Sequence, residues 1–414
     1  MASEAPARQV TGRIESLTRE LTTLSREIHG LAELGFTEHR SVGAIADLVR
    51  AHGIEPRVGG YGMETSLEAS AGDPGGPRIA ILAEYDALPG VGHGCGHNVI
   101  GAAATGAFLG LLDVVAGTGG AVVLLGTPAE ENGSGKEILA RAGAFAGIDA
   151  AIMLHPATHD SANFAALGLR SVEAAYHGVP AHASHQPEAG RNALDAVVAA
   201  YQGIAALRQH MPRADRVHGV ITDGGQVANV VPALASLRLL IRSPEVGSLL
   251  ALSERVQRVL EGAAMITETR LDAVWDRIQP CLPVRNNDVL TGRFSAHMTG
   301  RGRTFGTDRG AARGSTDMGN ISLRIPSIHP TVAIAPPEIA LHTAAFAEYA
   351  GSEPGDRAVV DGAIALALTA LDFLTDAELR ERSRAEFEAA GGVVDVPALL
   401  TPPADGRRDR KGSE

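Results

Sequence analysis

Three short apolar runs constrain this chain more than any other feature. RIAILA (78–83), AVVLLG (121–126) and AAIML (150–154) have strand length and are too short for helices. Stretches with helical spacing separate them, at about 98–116 and 134–143. Strands that alternate with helices predict an α/β layer with a mostly parallel central sheet. Upstream, residues 13–52 carry apolar positions at helical spacing with one short break, and Gly53 ends that region.

An open α/β sheet presents its ligands beyond the carboxyl ends of its strands. The chemistry-bearing residues follow that rule. Glu84, Asp86, His93, Cys95 and His97 come after the first run, Glu130 and Glu131 after the second, and His155 after the third. In GVGHGCGHN (90–98) the flanking glycines let Cys95 and His97 turn toward one point. Alone, this short motif equally describes an inert buried cysteine beside a surface histidine.

The Glu130–Glu131 pair strengthens the case for a metal. Adjacent carboxylates repel unless a cation lies near them. In an extended or turning segment they point apart, so one can bind metal while the other faces substrate. A solvated acidic turn before a helix near Ser134 is the plainer reading of the pair alone. A thiolate, imidazoles and a carboxylate together suit zinc, with manganese or cobalt less favoured by the sulfur. Such an ion would acidify a water and polarise a carbonyl, and Glu130 is the carboxylate assigned to take the proton. Two ions would need a shared ligand, which a thiolate or a carboxylate could supply.

Near residue 168 the texture changes. RSVEAAYHGV, RVHGVITDGG and ASLRLLIRS read as strands, and 191–210 and 246–266 as long helices. The order β-α-β-β-α-β predicts two helices on a four-stranded antiparallel sheet. After QPCLPVRNN the chain returns to the first pattern, with strand-like runs in 315–334 and helices at 341–350 and 358–373. The expected organisation is a catalytic domain (1–167 and 285–400) interrupted by a smaller α+β lid (168–284). The polar tail at 401–414 is expected to be disordered.

Bulk composition narrows the function. Of 414 residues, 45% are hydrophobic and 20% charged, and the net charge is −12. Neither a basic patch nor a stacking signature invites nucleic acid. The longest apolar run, IGAAATGAFLGLLDVVA (100–116), is short for a membrane span and contains Asp113. Two cysteines, Cys95 and Cys281, and an N-terminus without an apolar core lead to an expectation of a cytoplasmic protein. No GxGxxG follows the first strand, which argues against a dinucleotide oxidoreductase.

At this point the motifs resemble the M20 family of metallopeptidases and amidohydrolases. The matching segments are AEYDALPGVGHGCGHN (83–98), TPAEENGSGK (127–136), YHGVPAHASHQPEAGRNALDAV (176–197), GGQVANVVP (224–232), STDMGNIS (315–322) and HTAAFAEYA (342–350). They run in family order across nearly the whole chain. The resemblance implies a zinc-peptidase-like domain with an inserted lid, and two divalent metal ions. Cys95, His97, Glu131, His155 and His342 would be the ligands, with Cys95 bridging. It implies Glu130 as general base and Asp86 as the aspartate that positions a ligand. His182 would stabilise the oxyanion, often from across a dimer interface. Asn229 and Arg242 would hold the substrate, the arginine through a carboxylate. A homodimer through the lid follows from the same resemblance.

One residue departs from the commoner family form. CGHD is usual, and this chain has CGHN, so Asn98 either alters the support of His97 or marks a subgroup. A dipeptidase-like subgroup shares the asparagine. The leading reading is a metal-dependent amidohydrolase acting on a small dipeptide or N-acyl amino acid. Another small C–N substrate (an aromatic amine, a carbamoyl compound or an aminobenzoyl-glutamate) and a silent metal-dependent binding protein are the alternatives. An intact Glu130 argues against the last, because binding needs no base.

Overall fold

The computed structural model describes residues 4–305 and 314–400; the expected disordered tail at 401–414 lies outside them. The chain opens with three helices, α1 (Glu4–Ser16), α2 (Thr18–Leu31) and α3 (His39–Ala51). Left-handed Ala32, at φ 45°, ends α2 and accounts for the break expected there. Next come β1 (Arg57–Val58), β2 (Leu67–Gly72), β3 (Arg78–Ala83), α4 (His97–Leu111), β4 (Ala121–Gly126), the single turn α5 (Glu130–Gly133), α6 (Gly135–Arg141), β5 (Ala150–Ile152) and β6 (His155–Ala157). The expected strand at 149–156 is therefore two short ones.

The inserted unit contains β7 (Gly168–His177), α7 (Ala193–Arg208), β8 (Arg216–Asp223), β9 (Leu234–Ser243), α8 (Val246–Thr267) and β10 (Arg270–Trp275). The chain then continues through α9 (Asp288–Gly300), α10 (Met318–Ser322), β11 (Ser327–Ile328), β12 (Thr331–Ala333), α11 (Ala344–Ala350), α12 (Glu353–Thr375), α13 (Ala377–Ala389) and α14 (Val396–Leu400). The expectation of strand-like runs throughout 315–334 needs correcting. Residues 318–322 are helical, because the Thr316 hydroxyl accepts the Met318 N–H at 3.2 Å and starts a turn.

The main sheet has the order β1-β2-β4-β3-β5-β11. Strands β4, β3, β5 and β11 run parallel, while β1 and β2 add an antiparallel edge. Every residue of β4 and β5 is buried, as expected for strands covered on both faces. Every residue of α4 is buried too, beneath α1, α2 and α12. Helix α12 is long and apolar enough to cross a membrane by length and composition, yet most of it lies inside this core.

The second sheet is antiparallel, in the order β10-β7-β9-β8. Burial alternates residue by residue along β7, so one face packs on α7 and α8 and the other is open. The β-α-β-β-α-β reading therefore describes the architecture. Strand β8 is an unpaired edge with Val220 and Ile221 exposed.

Candidate metal centre

The carboxyl ends of β3, β4 and β5 deliver the site. Just past β3, Glu84 and Asp86 are fully buried. The loop then returns through Gly96, whose φ of +74° disfavours a side chain and whose Cβ would stand 2.8 Å from Pro156. That close approach sets His97, the first residue of α4, beside His155, with ring centroids 5.7 Å apart. Past β4, Ala129 takes a left-handed φ of 59°, held by its N–H donating to buried Glu38 at 2.8 Å. Glu130 and Glu131 therefore begin a helical turn, which corrects the extended arrangement expected for the pair. His342 also has a positive φ, 63°, and its N–H donates to the Gly94 carbonyl at 2.9 Å.

These segments converge. Donor atoms of Cys95, His97 and His155 lie within 4.8 Å of one another, as do those of Cys95, Glu131 and His342, and those of His97, Glu130 and Glu131. Cys95 and His97 thus each belong to two adjacent groups. Asp86 organises the donors: Oδ1 engages His97 Nδ1 at 3.0 Å, and Oδ2 accepts the Glu131 N–H at 3.0 Å. His155 Nδ1 is occupied by the Pro156 carbonyl at 2.7 Å. In both histidines Nδ1 is engaged, which leaves Nε2 to face a ligand. His97 Nε2 is buried without a hydrogen-bond partner. An orphaned imidazole nitrogen among a thiol, imidazoles and carboxylates fits a divalent cation, and the sulfur suits zinc.

Electrostatics agree with that fit. Burial pushes the Cys95 thiol up, and nearby Glu131 adds to it. A bound cation would reverse this, because a coordinating thiol is deprotonated outright. Burial raises Glu130 well above the ordinary carboxylate range, and the negative charges of Glu84, Asp317 and Glu131 raise it further. His155 is lowered to about 4 by burial and by neighbouring His97. Burial works against the charge of His97, but Glu84 and Asp86 outweigh it and raise the ring well above its usual value.

Several residues stand outside the cluster. His182 is exposed, with its ring close to Ser184 and edge-on to His185. Asn229 is exposed in the turn after β8. Arg242, half-buried on β9, reaches across to the Ser315 hydroxyl at 2.8 Å and so joins the two sheets' territories. Cys281 and Cys95 are both free; Cys281 Sγ lies 3.5 Å from the Ser134 hydroxyl. His93 is tied to the Ile28 carbonyl at 3.0 Å, away from the donor groups.

Sequence reasoning missed a buried ionic group beside the cluster. Lys136 bonds Glu84 Oε1 and, at 2.6 Å, Asp317 Oδ1, and all three side chains are fully buried. Nothing in a lysine among glycines signals burial. The acidic strand end at Glu84 was the available hint, because a buried carboxylate needs a cation. His329 was also missed: it is fully buried, and both of its nitrogens lack partners. Its ring lies 5.6 Å from that of His155.

A metal-ready cluster at the strand ends of an interrupted α/β sheet defines a class of metallohydrolase fold, and similarity to known proteins identifies which one. Residues 164–267 match the family model described as a peptidase dimerisation domain. Over 400 residues the chain is 35% identical to the mouse Xaa-Arg dipeptidase, covering 92% of each protein. It is 34% identical over 292 residues to one of the two polypeptides of Escherichia coli p-aminobenzoyl-glutamate hydrolase, covering 65% of this chain and 60% of that protein. A Bacillus subtilis dinuclear metal binding peptidase from the M20 family superposes with a TM-score of 0.68 at 21% identity, covering 86% of this chain and 99% of that one. The chain belongs to the M20 family.

The asparagine of CGHN has a local explanation. Asn98 Nδ2 donates to the Ser25 hydroxyl and to the Ala350 carbonyl, both at 2.9 Å, and the His97 ring is held by Asp86 instead. An aspartate would set an acceptor oxygen against that carbonyl. Asn98→Asp should therefore cost roughly 2 kcal/mol or more in stability while leaving metal uptake intact. Chemical denaturation and elemental analysis of the variant check this; metal loss at unchanged stability would assign Asn98 to the support of His97.

Proposed function

We propose that this M20 amidohydrolase holds two divalent cations and cleaves the amide bond of a dipeptide or N-acyl amino acid. The observation that carries the proposal is the convergence of the Cys95, His97, Glu131, His155 and His342 donors around a raised Glu130. Zinc suits the thiolate, and manganese or cobalt could occupy the same donors. Cys95, shared by two donor groups, is the natural bridge. The bound cations would supply an acidified water and a polarised carbonyl.

The chain's own residues do the rest. Asp86 fixes the His97 tautomer and the backbone of Glu131. Glu130, with its proton affinity raised by burial and neighbouring negative charge, takes a proton from water, holds it on its carboxylate and passes it to the departing nitrogen. Arg242 and Asn229 receive the substrate, the arginine pairing with its free carboxylate. The name of the mouse relative adds arginine to the C-terminal residues worth testing in such a dipeptide.

His182 is exposed on its own lid, which favours its serving the site of a second copy as an oxyanion donor. The lid offers the means of pairing. Val220 and Ile221 on the open edge strand, with Val198 and Tyr201 on α7, form an apolar surface for a homodimer. The two free cysteines suit a reducing cytoplasm.

Glu130→Gln should lower kcat by roughly 10²–10⁴-fold with the metal content of the wild type, whereas Glu131→Gln should lose metal. A Glu130→Gln protein that loses its metal would exchange the two roles. Val220→Glu with Ile221→Glu should shift the protein from dimer to monomer in sedimentation velocity; an unchanged dimer would move the interface elsewhere.

A further inference from the structure

Glu84 lies outside the ligand set proposed above. Yet its side chain is fully buried, and its Oε2 has no hydrogen-bond partner. That oxygen lies 3.3 Å from His97 Nε2, the other orphaned atom of the site. Leaving one buried acceptor unsatisfied costs about 1–3 kcal/mol, so two facing each other require an explanation.

A direct hydrogen bond does not provide one. Asp86 engages His97 Nδ1, which directs the Nε2 lone pair outward toward Glu84 Oε2. Two lone pairs at this distance repel unless something positive lies between them. The separation itself is informative. Zinc binds imidazole nitrogen at about 2.0–2.1 Å and carboxylate oxygen at about 2.0–2.2 Å, so two such donors on a tetrahedral ion are roughly 3.3–3.5 Å apart. Two ligands of one ion also sit off each other's lone-pair axes, which is why such a pair makes a poor hydrogen bond.

The other half of the carboxylate is fixed. Oε1 accepts from Lys136 Nζ, and Lys136 is held in turn by Asp317, through Oδ1 at its ammonium and through Oδ2 at its backbone N–H at 2.8 Å. Rotation of the Glu84 carboxylate would break the Lys136 contact, so Oε2 stays aimed at His97. Stability gives no reason to keep this group. Removing three charges from water costs several kcal/mol each, and buried pairs of this kind often fare no better than apolar residues. Glu130 also has a donor atom within 4.8 Å of those of Glu84 and Asp317, so an ion on Oε2 would be beside the proposed base.

We propose that Glu84 is a further protein ligand of the cation held by His97, and that Lys136 is the positioning residue that turns Oε2 toward it. This rests on the two-cation reading above. The test begins with crystals of the wild-type protein soaked in zinc. Glu84 Oε2 is expected within about 2.0–2.2 Å of the ion on His97. In solution, metal-free protein is titrated with cobalt(II). Glu84→Gln should bind one of two ions at least about 100-fold more weakly, with an altered visible spectrum for that ion. Lys136→Met should give a smaller loss, about tenfold, with a spectrum shifted in the same direction.

An ion on His97 with Glu84 Oε2 well outside bonding distance overturns the inference alone. So does a Glu84→Gln protein that binds both ions with unchanged affinity and spectrum. A wild-type protein that takes up no metal overturns it together with the reading beneath it. If Glu84→Gln does not fold, the wild-type crystal decides.

Discussion

The Asp86 carboxylate is the interaction on which the rest of the site depends. One oxygen holds His97 Nδ1, and the other accepts the backbone N–H of Glu131. A single buried side chain at the end of β3 thus fixes the tautomer of a residue on α4 and the position of a turn after β4. Burial opposes the Asp86 charge, but His97 and the Glu131 N–H outweigh it and keep the carboxyl ionised. Without that anchor, His97 could present either nitrogen, and Glu131 would have no fixed height above the sheet. Steric constraints complete the arrangement, since the glycine at 96 allows His97 to approach the 155–156 segment.

Much of this was legible in the sequence because it depends on local pattern. Apolar runs of strand length announced β3 and β4, and the ligands follow those runs directly. Period-two and period-3.6 patterns likewise marked the inserted sheet and its two helices. What remained hidden depends on long-range packing. His342 reaches the cluster only because its N–H meets Gly94, far earlier in the chain. Lys136 looks like a surface lysine until α6 packs against the 316–318 segment and buries it against Asp317. The strand-like reading of 315–322 failed for a related reason. Its apolar residues face a buried interior in a helical turn that is too short to show periodicity.

The asparagine of CGHN shows how a motif position can answer to packing and not to chemistry. Asn98 stands next to a proposed ligand, yet its amide joins α4 to α2 and to the end of α11. An amide suits that junction because it can donate to a carbonyl and a hydroxyl at once. The departure from the commoner family form therefore leaves the donor set complete, and the chemistry proposed for the site depends on His97, Asp86 and Glu130.

The most direct test of the central claim is metal stoichiometry of the purified wild-type protein by elemental analysis, read beside chelator-sensitive hydrolysis of dipeptides and N-acyl amino acids. The account predicts two divalent ions per chain, with turnover lost on chelation and restored by metal. A protein that hydrolyses these amides at full rate without metal, or that binds none after metal-supplemented purification, would contradict it.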